Sequence, residues 1–158
     1  MRTLITLARE TAIQHGLTPV ANLDALLPRD KYPLLARPVP AGFPPPADDY
    51  VEGRISLDDY LVQHKEATFF LKVAGDSMRG LGIFDGDLLV VDRAQQAMHQ
   101  SVVIAVLEHE FTVKQLLHTP TGYVLRAANP AYADIVIQPE QELTIWGVVR
   151  WAIHRVSV

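Results

Sequence analysis

Residues 67–78 read Ala-Thr-Phe-Phe-Leu-Lys-Val-Ala-Gly-Asp-Ser-Met. The run Ala67–Val73 is rich in aromatic and branched apolar side chains, which suit a pleated, half-buried surface, and a glycine follows that lets the backbone turn sharply. Six further runs share this texture: Leu88–Val91, Ser101–Leu107, Phe111–Leu117, Tyr123–Ala127, Ile135–Ile137 and Leu143–Ile153. Asp85-Gly86-Asp87, Thr121-Gly122 and Asn129-Pro130 supply turn chemistry among them. Short strands, tight turns and no intervening helices argue against parallel βαβ units and for a compact, mostly β, largely antiparallel fold.

Upstream the texture changes. Ser56 stands three residues before Asp59 at the head of Leu57, Tyr60 and Leu61, the pattern of a capped short helix. Between Pro28 and Pro46 lie seven of the chain's 11 prolines. Proline supplies no backbone donor, so this stretch excludes regular helix or a central strand and reads as an extended, accessible arm. Further upstream, Leu4, Leu7, Ala8, Ala12 and Ile13 recur at helical spacing before Gly16, which predicts a short helix. At 158 residues, 49% hydrophobic and 20% charged, the chain supports one core plus an arm. The boundary falls between residues 41 and 47.

The net charge of −4 gives no basic stripe for a nucleic-acid backbone, so any connection to DNA is expected to run through partners. With no cysteine, disulfides, thiolate metal sites and a cysteine nucleophile are excluded, which fits a reducing, cytoplasmic setting. Arg2, Arg9 and Glu10 interrupt the first apolar stretch, which therefore reads as neither a signal peptide nor a membrane span. His15, His64, His99, His109, His118 and His154 show no metal-ligand spacing, and no cofactor is expected.

Two residues attract chemical interest. Ser77 follows Gly75-Asp76 at a strand end, where a tight turn can present its hydroxyl outward and where the backbone N–H groups of Ser77 and Met78 can converge on a developing oxyanion. Taken alone, Gly-Asp-Ser is more often a turn whose serine satisfies local hydrogen bonds. Lys114 lies in Glu110-Phe111-Thr112-Val113-Lys114, a run that builds a half-buried strand. Burial there would disfavour its charge and leave a neutral amine able to take a proton from a hydroxyl. An exposed edge-strand lysine is the commoner fate. A Ser-His-Asp arrangement stays open on sequence alone, because its members need not be neighbours in the chain. Asp85 and Asp87 read as turn formers.

Taken together, these blocks resemble the UmuD family, relatives of the C-terminal domain of LexA-type repressors, from Gly42 to Ile153. Gly75-Asp76-Ser77-Met78 is similar to the family's nucleophile motif and Glu110–Lys114 to its lysine strand. Ala41-Gly42-Phe43-Pro44, with Asp49-Tyr50-Val51-Glu52 after it, is similar to the segment that the family cuts. Ser77 lies 35 positions after Gly42, and Lys114 lies 37 after Ser77, as in an UmuD-like chain. Asn129-Pro130-Ala131-Tyr132 and Trp146-Gly147-Val148-Val149 match later blocks and read as a turn and a core strand.

The resemblance implies a LexA/UmuD-like Ser-Lys peptidase fold, with Ser77 as nucleophile and Lys114 as general base. It implies self-cleavage at Ala41–Gly42, which divides the chain into an arm (1–41) and a peptidase and dimerisation domain (42–158). It further implies a homodimer, stimulation by a RecA–single-stranded DNA filament, and service as accessory subunit of an UmuC-like error-prone polymerase in the SOS response. The arm before the cut is longer than in the best-known members, and 41 residues are too few for a repressor's helix-turn-helix domain. The competing readings are a polymerase-regulating module that is never cut and a regulator without its DNA-binding domain.

Overall fold

The computed structural model describes residues 18–20, 31–35 and 51–156. The predicted N-terminal helix and the Ala41–Gly42 bond lie outside these residues. Among these residues, ten strands and one short α-helix follow one another: β1 (Thr18–Val20), β2 (Lys31–Leu35), β3 (Val51–Ser56), α1 (Leu57–Leu61), β4 (Thr68–Lys72), β5 (Leu88–Asp92), β6 (Val102–Leu107), β7 (Glu110–Thr119), β8 (Gly122–Arg126), β9 (Ile135–Val136) and β10 (Leu143–Ile153). Eight of the strands form one sheet in the order β1-β4-β5-β10-β6-β7-β8-β9, and β2 pairs separately with β3. Every neighbouring pair is antiparallel.

The fold is thus mostly β, as the strand texture predicts. All seven expected strands form, and α1 starts where expected, the Ser56 hydroxyl accepting a hydrogen bond from the Asp59 amide at 3.3 Å. Three strands were not anticipated. The proline-rich stretch is not wholly unpaired, because Lys31–Leu35 lies against β3, with Pro33 opposite Arg54. A proline is tolerated there because β2 is an edge strand. Thr18–Val20 likewise pairs along β4.

Hydrophobic burial fixes the rest. Leu89, Val90 and Val91 of β5, and Val103, Ile104 and Ala105 of β6, are fully covered, so these strands are buried on both faces. Leu71, Val73, Met78, Ile83, Leu89, Val91, Ile104 and Val113 form one core. Val103, Ala105, Leu116, Leu125 and Val148 form a second on the opposite face of β6. The long strand β10 joins the halves, pairing with β6 through its first part and with β5 through its second, with a register shift in each ladder. Gly147 sits at one shift, where a β-carbon would stand 2.6 Å from a Val91 methyl. The bulge bends β10 and needs a residue without a side chain.

Candidate active site

The turn after β4 carries Ser77. Gly75 adopts φ +94°, a conformation natural only to glycine, and its amide donates to the Asp85 carboxylate at 2.7 Å. Val73 and Asp87 fasten the two ends of the segment, through Val73 N–H to Asp87 O at 2.8 Å and Gly86 N–H to Val73 O at 2.9 Å. Met78 is 2% exposed and plugs into the first core. The segment between these anchors presents Ser77 at the margin of the core, half-buried. Asp85 and Asp87 are structural, as expected: the Asp87 carboxylate also accepts the Phe84 amide at 2.8 Å and pairs with His154.

The strand β7 brings Lys114 to the same place. Lys114 is 8% exposed, so the edge-strand alternative does not hold, and burial lowers its pKa from the ordinary lysine value. Its Nζ lies 3.4 Å from Ser77 Oγ, and it donates to Thr112 Oγ1 at 2.9 Å and to the Val113 carbonyl at 3.0 Å. A protonated amine has three N–H groups and finds three oxygens here. A neutral amine has two, and Thr112 and Val113 accept both, which turns the lone pair toward Ser77. Thr112 was not singled out from sequence, although period two places it on the face of β7 that carries Lys114.

Three further features complete the geometry. Among the described residues, the amides of Ser77 and Met78 donate no backbone hydrogen bond. The Asp76 carboxylate accepts from the Tyr132 hydroxyl at 2.6 Å and from Asn129 Nδ2 at 3.2 Å, and Asn129 Nδ2 also donates to the Asp76 carbonyl at 3.1 Å. Asn129 and Tyr132, read from sequence only as a turn, thus contact the residue preceding Ser77. They lie 53 and 56 positions from Asp76, a distance that no local pattern spans. Finally, the histidine–carboxylate pairs His64–Asp92 and His154–Asp87 do not include Ser77. Its one side-chain hydrogen bond among the described residues is with Lys114, so the geometry favours Ser-Lys over Ser-His-Asp. No cluster of three metal-ligating side chains occurs among the described residues, and no helix there is long and apolar enough to cross a membrane.

Residues 33–150 match the Peptidase S24-like family. Protein SamA of Salmonella typhimurium strain LT2 is 46% identical over 123 residues, 78% of this chain and 85% of its own length. Protein MucA of Escherichia coli is 44% identical over 118 residues, 74% of this chain and 80% of its own. A LexA repressor of Verminephrobacter eiseniae is 41% identical over 116 residues, which cover 73% of this chain but 51% of the repressor. The match spans the strands that bring a turn serine against a buried lysine, and the chain belongs to the Peptidase S24-like family, among relatives of the UmuD type.

Proposed function

We propose that this chain is a serine endopeptidase that cuts its own Ala41–Gly42 bond with a Ser77–Lys114 dyad. The observation that carries the reading is the buried Lys114 amine 3.4 Å from the Ser77 hydroxyl, with both remaining N–H groups engaged. Neutral Lys114 takes the Ser77 proton as Oγ attacks the Ala41 carbonyl carbon, and the amides of Ser77 and Met78 receive the oxyanion. As the C–N bond breaks, the lysine returns that proton to the Gly42 nitrogen. Water then attacks the Ser77 ester, Lys114 again holding the transferred proton, and frees the Ala41 carboxylate and the serine. Tethering substrate to catalyst supplies an effective molarity on the order of 10⁵ M or more in productive geometry. Latency therefore requires that the bond spend most of its time elsewhere.

Family membership supports the wider setting. In this reading a RecA–single-stranded DNA filament favours the cleavable arrangement by binding it better than the idle one. The product 42–158 acts as a homodimeric, cytoplasmic accessory subunit of an UmuC-like polymerase in SOS mutagenesis. The polymerase then provides the DNA grip that a chain of net charge −4 lacks.

The test is mass spectrometry of wild-type, Ser77→Ala and Lys114→Ala proteins after incubation with activated RecA filament and, separately, at alkaline pH. A fragment beginning at Gly42 in wild type alone is the expected result. An uncut wild-type chain in both conditions would instead favour a binding module that regulates without being cut.

A further inference from the structure

We propose that Asn129 and Tyr132 form a positioning clamp for Ser77, acting through Asp76. The inference rests on the self-cleaving reading above and assigns that site residues far away in sequence. Asp76 is bonded directly to Ser77, so fixing both its carbonyl and its carboxylate fixes the peptide that carries the nucleophile. The clamp does both. Asn129 Nδ2 donates to the Asp76 carbonyl at 3.1 Å and to its Oδ2 at 3.2 Å, while Tyr132 donates to Oδ1 at 2.6 Å.

The clamp is itself held. Asn129 is 8% exposed, and its Oδ1 accepts the Ala131 amide at 3.0 Å, which orients its Nδ2 toward Asp76. The Asn129 carbonyl accepts the Tyr132 amide at 3.0 Å, and the Ala128 carbonyl accepts the Gly80 amide at 2.7 Å. A β-carbon on Gly80 would collide with that carbonyl, so the loops 76–80 and 128–132 meet at backbone contact. The assembly stiffens both sides of Ser77, with buried Met78 on one and Asp76 on the other. Such stiffness matters because Ser77 and Lys114 sit at the long end of hydrogen-bond reach, where a shift near 1 Å costs on the order of a hundredfold in rate. Asn129 and Tyr132 bond Asp76, whereas the partners of the Lys114 amine are Ser77, Thr112 and Val113, so the clamp works by placing Ser77.

The experiment compares wild type with Tyr132→Phe, Asn129→Ala and Asp76→Asn in full-length protein. Self-cleavage is followed across an alkaline pH series, and labelling of Ser77 is followed with a small fluorophosphonate, which needs no docked arm. Tyr132 is half-exposed and loses only a hydroxyl in Tyr132→Phe, so that variant keeps its fold, checked by thermal unfolding. Tyr132→Phe is expected to slow both reactions roughly tenfold at an unchanged pH midpoint, and Asp76→Asn, which keeps the shape and a carbonyl acceptor, to lose less than Asn129→Ala. Three results overturn the clamp: labelling unchanged while cleavage falls, which makes the loop an arm-docking surface; a shifted midpoint, which makes Asp76 an electrostatic partner of Lys114; or no change in either. A wild type that labels without cutting itself would sink the self-cleaving reading while labelling still decides the clamp, and a wild-type Ser77 inert in both assays would remove both.

Discussion

Lys114 is held by β7 in a site that disfavours its charge while offering three oxygens to its protonated form. Burial wins and its pKa falls below 10.5, whereas Tyr132, donating to the Asp76 carboxylate, has its pKa raised. Raising the pH makes Lys114 neutral, and self-cleavage should rise with pH through the lowered lysine pKa. The same shift has a stability sign. Between the folded pKa and about 10.5, the unfolded chain binds more protons, so stability grows as pH rises through that window and is lost as pH falls through it. Urea midpoints measured from pH 7 to 10 should climb in wild type, and Lys114→Met should remove this lysine's share of the climb. Thr112→Val deletes one of the two acceptors that orient the amine and should slow cleavage about five- to tenfold, the kinetic equivalent of one hydrogen bond worth ~1 kcal/mol. At this scale Ser77 and Lys114 were legible because each sits in a short, informative block. Thr112 was overlooked although strand periodicity points to it, and Asn129 and Tyr132 were invisible as partners because only the folded sheet brings them to Asp76.

The elements carry their own signs of constraint. Glu108 and His109 join β6 to β7 with φ of 50° and 71°, the left-handed turn that suits a two-residue hairpin but is costly for residues with side chains. Replacing the pair by Asn-Gly should stabilise the protein by on the order of 1–2 kcal/mol in urea unfolding without altering Lys114, four residues along the strand. Gly147→Ala should do the opposite, forcing a methyl into Val91 and costing roughly 1–3 kcal/mol as an overpacked core does. Strand texture made β10 legible at both ends, Leu143 and Ile153, and β5 within one residue. It did not reveal β3, whose Glu52, Gly53 and Arg54 lack the branched and aromatic side chains of a strand. That segment is extended through its pairing with β2, a non-local partner broken by Pro33 that reads as an arm. Propensity identifies strands that bury a face, and it misses those defined only by what lies beside them.

Among the described residues, the large sheet ends in very short strands, Thr18–Val20 on one side and Ile135–Val136 on the other, and short edge strands offer little open edge to other chains. The piece upstream of residue 41 contributes β1 and β2, and both are held to the rest by strand pairing. Lys31, Tyr32, Pro33 and Leu34 leave their side chains exposed, so little apolar surface secures β2, and isolated two-stranded pairings are marginal in water. If the Ala41–Gly42 bond is cut as proposed, hydrolysis turns the former arm into a ligand, with an affinity and a departure rate of its own. Nicking and shedding then become separate events, the first insensitive to dilution when it occurs within one chain and the second governed by it. Native mass spectrometry of freshly cut protein should find the two pieces together at high concentration and apart after dilution, so that the lifetime of the nicked complex, and not the chemistry at Ser77 alone, sets when the new surface along β4 and β3 is uncovered.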